Sequence, residues 1–156
     1  MDARPARWAL PVFRGCLSVA AVLLFDQAVF AGQFLAGSYG SLHAHRANAT
    51  YAGLAVLAAA LAGVAVRWPG GGPLWPAAAS LGLFGLVGAQ IAMGYARILA
   101  AHVPLGVAII LLTAVLTIWA WRARPARGPA EVPAAEVPAA VGAGGSEPED
   151  TTGARP

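Results

Sequence analysis

Two histidines in this chain follow the same pattern of residues, and their side chains could bind a metal or a cofactor. The pattern is a Gln, a Gly four residues later and a His eight residues after that. Its copies are Gln33, Gly37, His45 and Gln90, Gly94, His102. Each copy begins late in one apolar stretch and ends early in the next. The spacing therefore predicts a helical hairpin that occurs twice, with a histidine opening the second helix of each copy.

The helices that carry these histidines are predicted to lie in a membrane. Apolar residues make up 58% of the 156 residues and charged residues only 11%, which is too little polar surface for a water-soluble globule. Because a spanning helix needs roughly 20 mostly apolar residues, four spans are predicted, at 15–36, 45–66, 74–96 and 101–121. Short connections make neighbouring helices antiparallel, so the expected fold is an all-α, up-down-up-down four-helix bundle.

The residues outside these spans have a different composition. Residues 1–14 form a basic lead-in, where Pro5 and Pro11 argue against a continuous helix. Residues 122–156 contain a five-residue repeat, at 130–134 and 135–139, and then become rich in Gly, Ser and acidic residues. Such a segment buries too little apolar surface to offset its ordering entropy, so it is predicted to be a disordered tail.

The arginines predict how the bundle is oriented. All ten basic residues are Arg, and they cluster before the first span, in the second loop and after the fourth span. Only Arg46 and Arg97 lie near the two histidine-bearing loops. The positive-inside rule then places both termini in the cytoplasm and the histidines at the outer face of a cell membrane. Topology thus accounts for the basic charge, and the expected partner is the lipid bilayer rather than nucleic acid.

The two histidines are expected to lie at the same depth, because the second and fourth spans run in the same direction. If these spans lie diagonally across the bundle, the imidazoles can face each other across its interior, where bundles commonly build cofactor sites. Paired neutral imidazoles suit axial ligation of a heme iron. The positions three, four and seven residues after each histidine are mostly small, which would leave room for a flat ring. These are Asn48, Ala49, Ala52, Leu105, Gly106 and Ile109.

The neighbouring residues predict the rest of such a heme b pocket. Gly37 and Gly94 would let the backbone approach the ring edge. Arg46 and Arg97 lie at the outer rim, where their guanidinium groups could bind the heme propionates. Gln33 and Gln90, which open the two patterns, are assigned to the same pocket.

Other interpretations of the histidines stay open. Histidines at the wet headgroup level also occur without a ligand, and an internal duplication would preserve their spacing. A zinc or copper site is disfavoured because no carboxylate or thiol is expected near the outer face. His43 is an alternative ligand to His45, but the matching position in the second copy is Ala100, so the repeat favours His45.

From Gln27 to Thr113 the sequence resembles one half of heme A synthase and related small bacterial heme-bundle proteins. The resemblance rests on the Gln-x-x-x-Gly runs, on His45-Arg46 opening the second span, and on His102. It implies a bis-histidine heme pocket in a four-helix membrane bundle. That family has a Glu three residues before a ligand histidine, where this chain has Leu42. The oxidation of a heme methyl group is therefore not carried over.

Asp26 is the acidic residue that falls within a predicted span. A carboxyl group in a membrane is costly, by roughly 2.5–3.5 kcal/mol on insertion scales, and is a functional candidate for that reason. Its seven-residue spacing from Gln33 places both residues on one helical face. It is expected to relay protons, or to hydrogen-bond a neighbour such as Thr113.

Three classes of function are compatible with the sequence. The favoured class is a heme-binding membrane protein for electron transfer or sensing, with a quinol or another membrane redox protein as partner. The second is a cofactor-free structural or assembly subunit of a membrane complex. The third is a small proton-coupled transporter centred on Asp26. No reaction is assigned, and the sequence is compatible with a homo-oligomer.

Overall fold

The computed structural model describes residues 8–124, which form four antiparallel helices. These helices are α1 (Ala9–Leu35), α2 (Ser41–Arg67), α3 (Trp75–Tyr95) and α4 (Leu99–Arg122). All four are long and apolar enough to span a membrane. The predicted all-α four-helix bundle is thus confirmed. The tail from residue 125 onward and the lead-in up to residue 7 lie outside the described residues.

Helices α1, α2 and α4 begin earlier than the sequence predicted, whereas α3 begins within one residue of the predicted start. Helix α1 begins at Ala9 rather than near Gly15, and it includes Pro11 in its first turn. A proline fits there because the first N–H groups of a helix have no acceptor within it. Helix α2 begins at Ser41, so His45 lies one turn inside the helix rather than at its first residue. The last part of the predicted lead-in is therefore helical.

The helices are arranged so that consecutive ones pack together and α4 closes the bundle against α1. Helices α2 and α4 do not pack on each other and therefore lie diagonally across the bundle. The α1–α2 and α3–α4 connections lie at one end, here called the histidine end. The beginning of α1 and the end of α4 lie at the other, here called the terminal end. The structure therefore meets the condition under which the two imidazoles can face each other across the bundle interior.

The apolar core is densest towards the terminal end. Phe13 and Leu17 are fully buried there among Ala59, Leu116 and Ala120. A second cluster occupies the middle of the bundle and consists of Ala20, Leu24, Ala52, Val56, Leu83, Val87 and Ile109. Helices α2 and α3 approach closely at Gly63, where a Cβ atom would lie 3.1 Å from the Cα of Ala77.

The two connections at the histidine end differ in length, but each begins with the same type of turn. After α1, Gly37 has a φ of 96° and Ser38 donates its N–H to the Gln33 carbonyl. After α3, Arg97 has a φ of 59° and Ile98 donates its N–H to the Met93 carbonyl. Both are Schellman turns, which need one residue in the left-handed conformation. The structural counterpart of Gly37 is therefore Arg97, whereas Gly94 lies within α3.

Candidate functional site

The imidazole rings of His45 and His102 lie next to each other inside the histidine end. Their ring centroids are 6.2 Å apart and their planes are inclined by 57°. The rings come from α2 and α4, so they meet across the diagonal of the bundle. Both side chains are partly buried. The sequence pattern thus identified two side chains that the fold does bring together.

Each imidazole is anchored through its Nδ1 atom to a backbone carbonyl of the preceding helix. His45 Nδ1 lies 3.1 Å from the Gln27 carbonyl oxygen, and His102 Nδ1 lies 2.9 Å from the Gln90 carbonyl oxygen. A carbonyl oxygen only accepts hydrogen bonds, so Nδ1 carries the proton in both rings. In the neutral rings, Nε2 then keeps a free lone pair. A carbonyl bonded to the second ring nitrogen is the usual arrangement for a histidine that binds a metal.

His102 is held by a reciprocal pair of hydrogen bonds with Gln90. The Gln90 carbonyl accepts from the His102 ring, and the Gln90 Nε2 donates to the His102 carbonyl at 2.8 Å. Two glycines make room for this pair. A Cβ atom at Gly94 would lie 3.0 Å from His102 Cε1, and one at Gly106 would lie 2.8 Å from Gln90 Nε2.

His45 has a different second support. Asn48, three residues further along α2, is buried and donates from Nδ2 to the Leu23 carbonyl at 2.7 Å. Because residues three apart lie on one face of a helix, His45 and Asn48 form two parallel attachments between α2 and α1. The Gln27 side chain takes part in neither attachment.

Two adjoining cavities border the histidine pair. The outer cavity has a volume of about 240 Å³ and is bordered by Arg46, Thr50 and Tyr95. The inner cavity has a volume of about 320 Å³ and extends to Gln27, Gln90 and Gly106. Seven residues line both: Ala31, Leu35, His45, Ala49, Ile91, His102 and Val103. The pair therefore lies between two parts of one largely apolar space, of the size range that cofactor pockets have.

The inner cavity contains buried amide atoms that lack hydrogen-bond partners. Within residues 8–124, Gln27 Nε2, Gln27 Oε1 and Gln90 Oε1 are buried and make no hydrogen bond. Buried polar side-chain atoms are normally paired, because an unpaired one loses its hydration without compensation. The unpaired atoms belong to two glutamines that also line the inner cavity.

The other candidate residues from the sequence, which include the alternative ligand His43 and the proton-relay candidate Asp26, fall into two groups. Arg46 lines the outer cavity, and its guanidinium carbon lies 6.0 Å from the Tyr95 ring centroid. Gly94 lines the same cavity. Five other assigned residues line neither cavity: Asp26, Gln33, Gly37, His43 and Arg97.

Each residue outside the cavities has a different local environment. Gln33 is exposed and accepts a hydrogen bond from Ser41 through its Oε1. Gly37 and Arg97 are the left-handed turn residues, and His43 is exposed. Asp26 is partly exposed, and the Thr113 hydroxyl donates to the Ile109 carbonyl rather than to Asp26.

Sequence reasoning missed Gln27 and the role of Asn48. The repeat pattern pointed to Gln33 as the counterpart of Gln90, but Gln27 is the residue whose carbonyl binds the matching histidine. The α1–α2 connection, residues 36–40, is longer than the α3–α4 connection, residues 96–98, but this explains only part of the difference between the Gln27–His45 spacing of 18 residues and the Gln90–His102 spacing of 12 residues. Polar residues within apolar spans were the available signal, since such residues are costly in a membrane unless they face the bundle interior.

The donor set fits a cofactor that is bound by two imidazoles. A histidine nitrogen lies about 2 Å from the metal it binds, so two imidazoles on opposite sides of one ion have centroids roughly 6 Å apart. The observed separation of 6.2 Å meets this condition. Within residues 8–124, no three His, Cys, Asp or Glu side chains form a metal-binding group. No protein-family model, curated protein or solved structure matches the chain.

Proposed function

We propose that this membrane protein binds one b-type heme between His45 and His102 and uses it for electron transfer or sensing. The observation that carries the proposal is the pair of imidazoles, 6.2 Å apart, each with Nδ1 bound to a carbonyl. When bound, heme b supplies a one-electron redox centre.

The chain's own residues would bind and orient the cofactor. The Gln27 and Gln90 carbonyls accept the Nδ1 protons of His45 and His102, so in the neutral form of each ring the lone pair of Nε2 would be available to the iron. Arg46, at the rim of the outer cavity, would bind a propionate carboxylate. The apolar lining of both cavities would exclude water from the ring and so lower the polarity around the redox centre.

The proposed location limits what the protein does with electrons. The histidines lie near one end of the bundle, and the terminal end is filled by close-packed apolar side chains. One heme near one face can exchange electrons with a quinol or with another redox protein at that face. It does not by itself carry electrons across the bilayer.

The test is the visible spectrum of the purified protein. After expression with sufficient heme, the reduced-minus-oxidised spectrum in detergent should contain the sharp bands of a low-spin b-type heme. His45→Ala and His102→Ala should each remove the low-spin bands, because each takes away one axial nitrogen. His43→Ala is the matched control and should leave the bands unchanged, because His43 is exposed and outside both cavities.

Absence of heme bands in the wild-type protein would refute the proposal. The cofactor-free structural subunit would then be the better interpretation, since α3 carries a glycine face that no other helix within residues 8–124 covers. Cβ atoms at Gly82, Gly85 and Gly88 would meet nothing within 4 Å. Retention of low-spin bands in His45→Ala would move the ligand assignment to His43.

A further inference from the structure

The side-chain hydrogen bonds at the histidine end join the two helices of one hairpin, not the two hairpins. In the first hairpin, which consists of α1 and α2, His45 donates to the Gln27 carbonyl. In the second, which consists of α3 and α4, His102 donates to the Gln90 carbonyl. The other side-chain hydrogen bonds at this end, within residues 8–124, also stay inside one hairpin. Each imidazole is therefore anchored inside its own hairpin.

Along α1 and α4 the two hairpins are joined from the terminal end to the middle of the bundle. Within residues 8–124, the hydrogen bonds between these helices link residues 14–18 to residues 117–123. Apolar packing between them continues as far as Leu24 and Ile109. Beyond these two residues, towards the histidine end, the described residues show no polar contact between α1 and α4.

The inner cavity opens to the outside in this part of the bundle. The residues that line the cavity and are also exposed all belong to α1 and α4, whereas its lining residues on α2 and α3 are buried or partly buried. The exposed residues are Ala28, Gly32, Leu35, Val103 and Val107, here called the α1–α4 mouth. All five are apolar, and a Cβ atom at Gly32 would meet nothing within 4 Å.

The α1–α4 mouth faces the acyl chains of the bilayer. Helices α1 and α4 contain 27 and 24 residues, so they are roughly 36–40 Å long, whereas the hydrocarbon core is about 30 Å thick. Ala28 lies seven residues before the end of α1, and Val107 lies eight residues after the beginning of α4. At about 10 and 12 Å inside the helix ends, these residues lie at the depth of the hydrocarbon.

We infer that heme enters the site from the bilayer, by passing between α1 and α4 through the α1–α4 mouth. The inference rests on the proposed function. A porphyrin ring is largely apolar and partitions from water into the bilayer, and the mouth offers it no polar group that would have to lose its hydration. Because each imidazole is anchored in its own hairpin, α1 and α4 can separate at the histidine end without breaking either anchor.

The outer cavity has a second opening, between α2 and α3, which suits an apolar ring less well. Arg46, Thr50 and Tyr95 are exposed at its rim. The Arg46 guanidinium lies over the Tyr95 ring and so connects the two helices. A ring that entered here would have to break this contact beside a hydrated cation. Entry from the opposite side leaves Arg46 in place to bind a propionate.

Heme uptake by the full-length apoprotein in phosphatidylcholine vesicles tests the route, and the appearance of the low-spin heme bands is the measurement. Gly32→Phe places a large side chain in the mouth. Uptake should then be slower than in the wild type by about tenfold, which corresponds to roughly 1.4 kcal/mol added to the barrier. Gly82→Phe is the matched control and should keep the wild-type rate. A Cβ atom at Gly82 also meets nothing within 4 Å, but Gly82 lines neither cavity.

The release of heme distinguishes a blocked route from a damaged site. An obstacle in the route raises the barrier for entry and for release equally, so the equilibrium affinity of Gly32→Phe for heme should equal that of the wild type. Damage to the site would instead lower the affinity by speeding release. Transfer of heme to an excess of a soluble heme-binding protein measures the release rate.

A reversible block keeps the test available if Gly32→Phe does not fold. Gly32→Cys, combined with Cys16→Ala to remove the native thiol, is labelled with a benzyl thiosulfonate after the protein has folded. The label should slow heme uptake, and its removal by a reductant before heme is added should restore the rate. The same label on Gly82→Cys should leave the rate unchanged.

Three outcomes would overturn this inference while leaving the proposed function intact. The first is a wild-type uptake rate in Gly32→Phe and in labelled Gly32→Cys. The second is a lowered heme affinity with faster release in Gly32→Phe. The third is slower uptake in Thr50→Phe but not in Gly32→Phe, which would place entry at the outer cavity. Absence of heme bands in the wild type would instead refute the proposed function itself.

Discussion

Gly106 on α4 lies directly against the Gln90 amide of α3, so that a Cβ atom at position 106 would be 2.8 Å from Gln90 Nε2. This contact lets Nε2 reach the His102 carbonyl at 2.8 Å. The glycine therefore belongs to the support of the histidine even though it touches no imidazole. Gly106 lies one turn after His102 and was predicted to leave room for a flat ring. In the structure, the Gln90 side-chain amide lies against Gly106.

Gly106→Ala should destabilise the bundle. The methyl group displaces the Gln90 amide and breaks an interhelical hydrogen bond, at a cost of about 1–2 kcal/mol in the free energy of unfolding. Unfolding in mixed detergent micelles measures this. Gly82→Ala is the control, because a Cβ atom there meets nothing within 4 Å and alanine favours a helix. A stability of Gly106→Ala at or above that of the control would contradict the prediction.

The repeated pattern predicted the histidine pair correctly but misassigned its neighbours. Equal spacing in sequence implies equal positions in space only if both connections have the same length. Here three residues, 96–98, join α3 to α4, whereas five residues, 36–40, join α1 to α2. The glycines of the pattern consequently have different roles: Gly37 forms a turn, and Gly94 packs against His102.

Substitutions at the two turns should change stability in opposite directions. Gly37 has a φ of 96°, so Gly37→Ala forces a side chain into a left-handed conformation and should cost about 1 kcal/mol. Arg97 already bears this strain at a φ of 59°, so Arg97→Gly should stabilise the protein by about 0.5–1 kcal/mol. Thermal unfolding of the two variants in detergent measures both effects. If both variants changed the stability in the same direction, Gly37 and Arg97 would not be equivalent turn residues.

The spans were predictable because membrane helices are defined by length and apolarity, and both are visible in sequence. The residues at which the helices begin and end were harder to predict. The prolines of the lead-in suggested that the first helix starts late, but Pro11 occupies a first-turn position where a missing N–H costs nothing. Tertiary contacts of the first turn were not visible either. Arg14, read from the sequence as a topology signal, binds the end of α4.

Arg14 should contribute more to stability than the arginine at the end of α4. Its Nε and Nη2 atoms donate to the carbonyls of Ala120 and Ala123, at 2.9 and 2.7 Å, and a cation is favoured at that helix end. Arg14→Ala should lower the free energy of unfolding by about 1–2 kcal/mol, and Arg14→Lys should recover only part of it.

The control for Arg14 is Arg122→Ala, which removes an exposed arginine from the last turn of α4. It should change the free energy of unfolding by less than about 0.5 kcal/mol. Denaturant titration of the three variants in one detergent measures the difference. Equal losses in Arg14→Ala and Arg122→Ala would mean that net charge at this end matters rather than the two hydrogen bonds.

The anchors of the imidazoles could not be predicted from residue types. Both are backbone carbonyls, which every residue carries, so their identity depends on the rotation of α1 and α3 about their axes. Gln27 was recognisable as a polar residue within an apolar span, but the repeat directed attention to Gln33 instead. Asn48 was likewise considered only as a position that would leave room beside His45, whereas its side chain is buried and joins two helices.

Arg46 and Arg97 were predicted to bind heme propionates together, but their positions suggest different contributions. Arg46 lines the outer cavity beside Tyr95, whereas Arg97 is exposed and outside both cavities. Arg46→Gln should therefore weaken heme binding by up to about fivefold, a modest effect because the rim is open to solvent. Arg97→Gln, which keeps a long polar side chain at the turn, should change heme affinity less. Heme titration of the apoprotein, followed by absorbance, measures both, and a larger loss in Arg97→Gln would place the propionates at the α3–α4 turn instead.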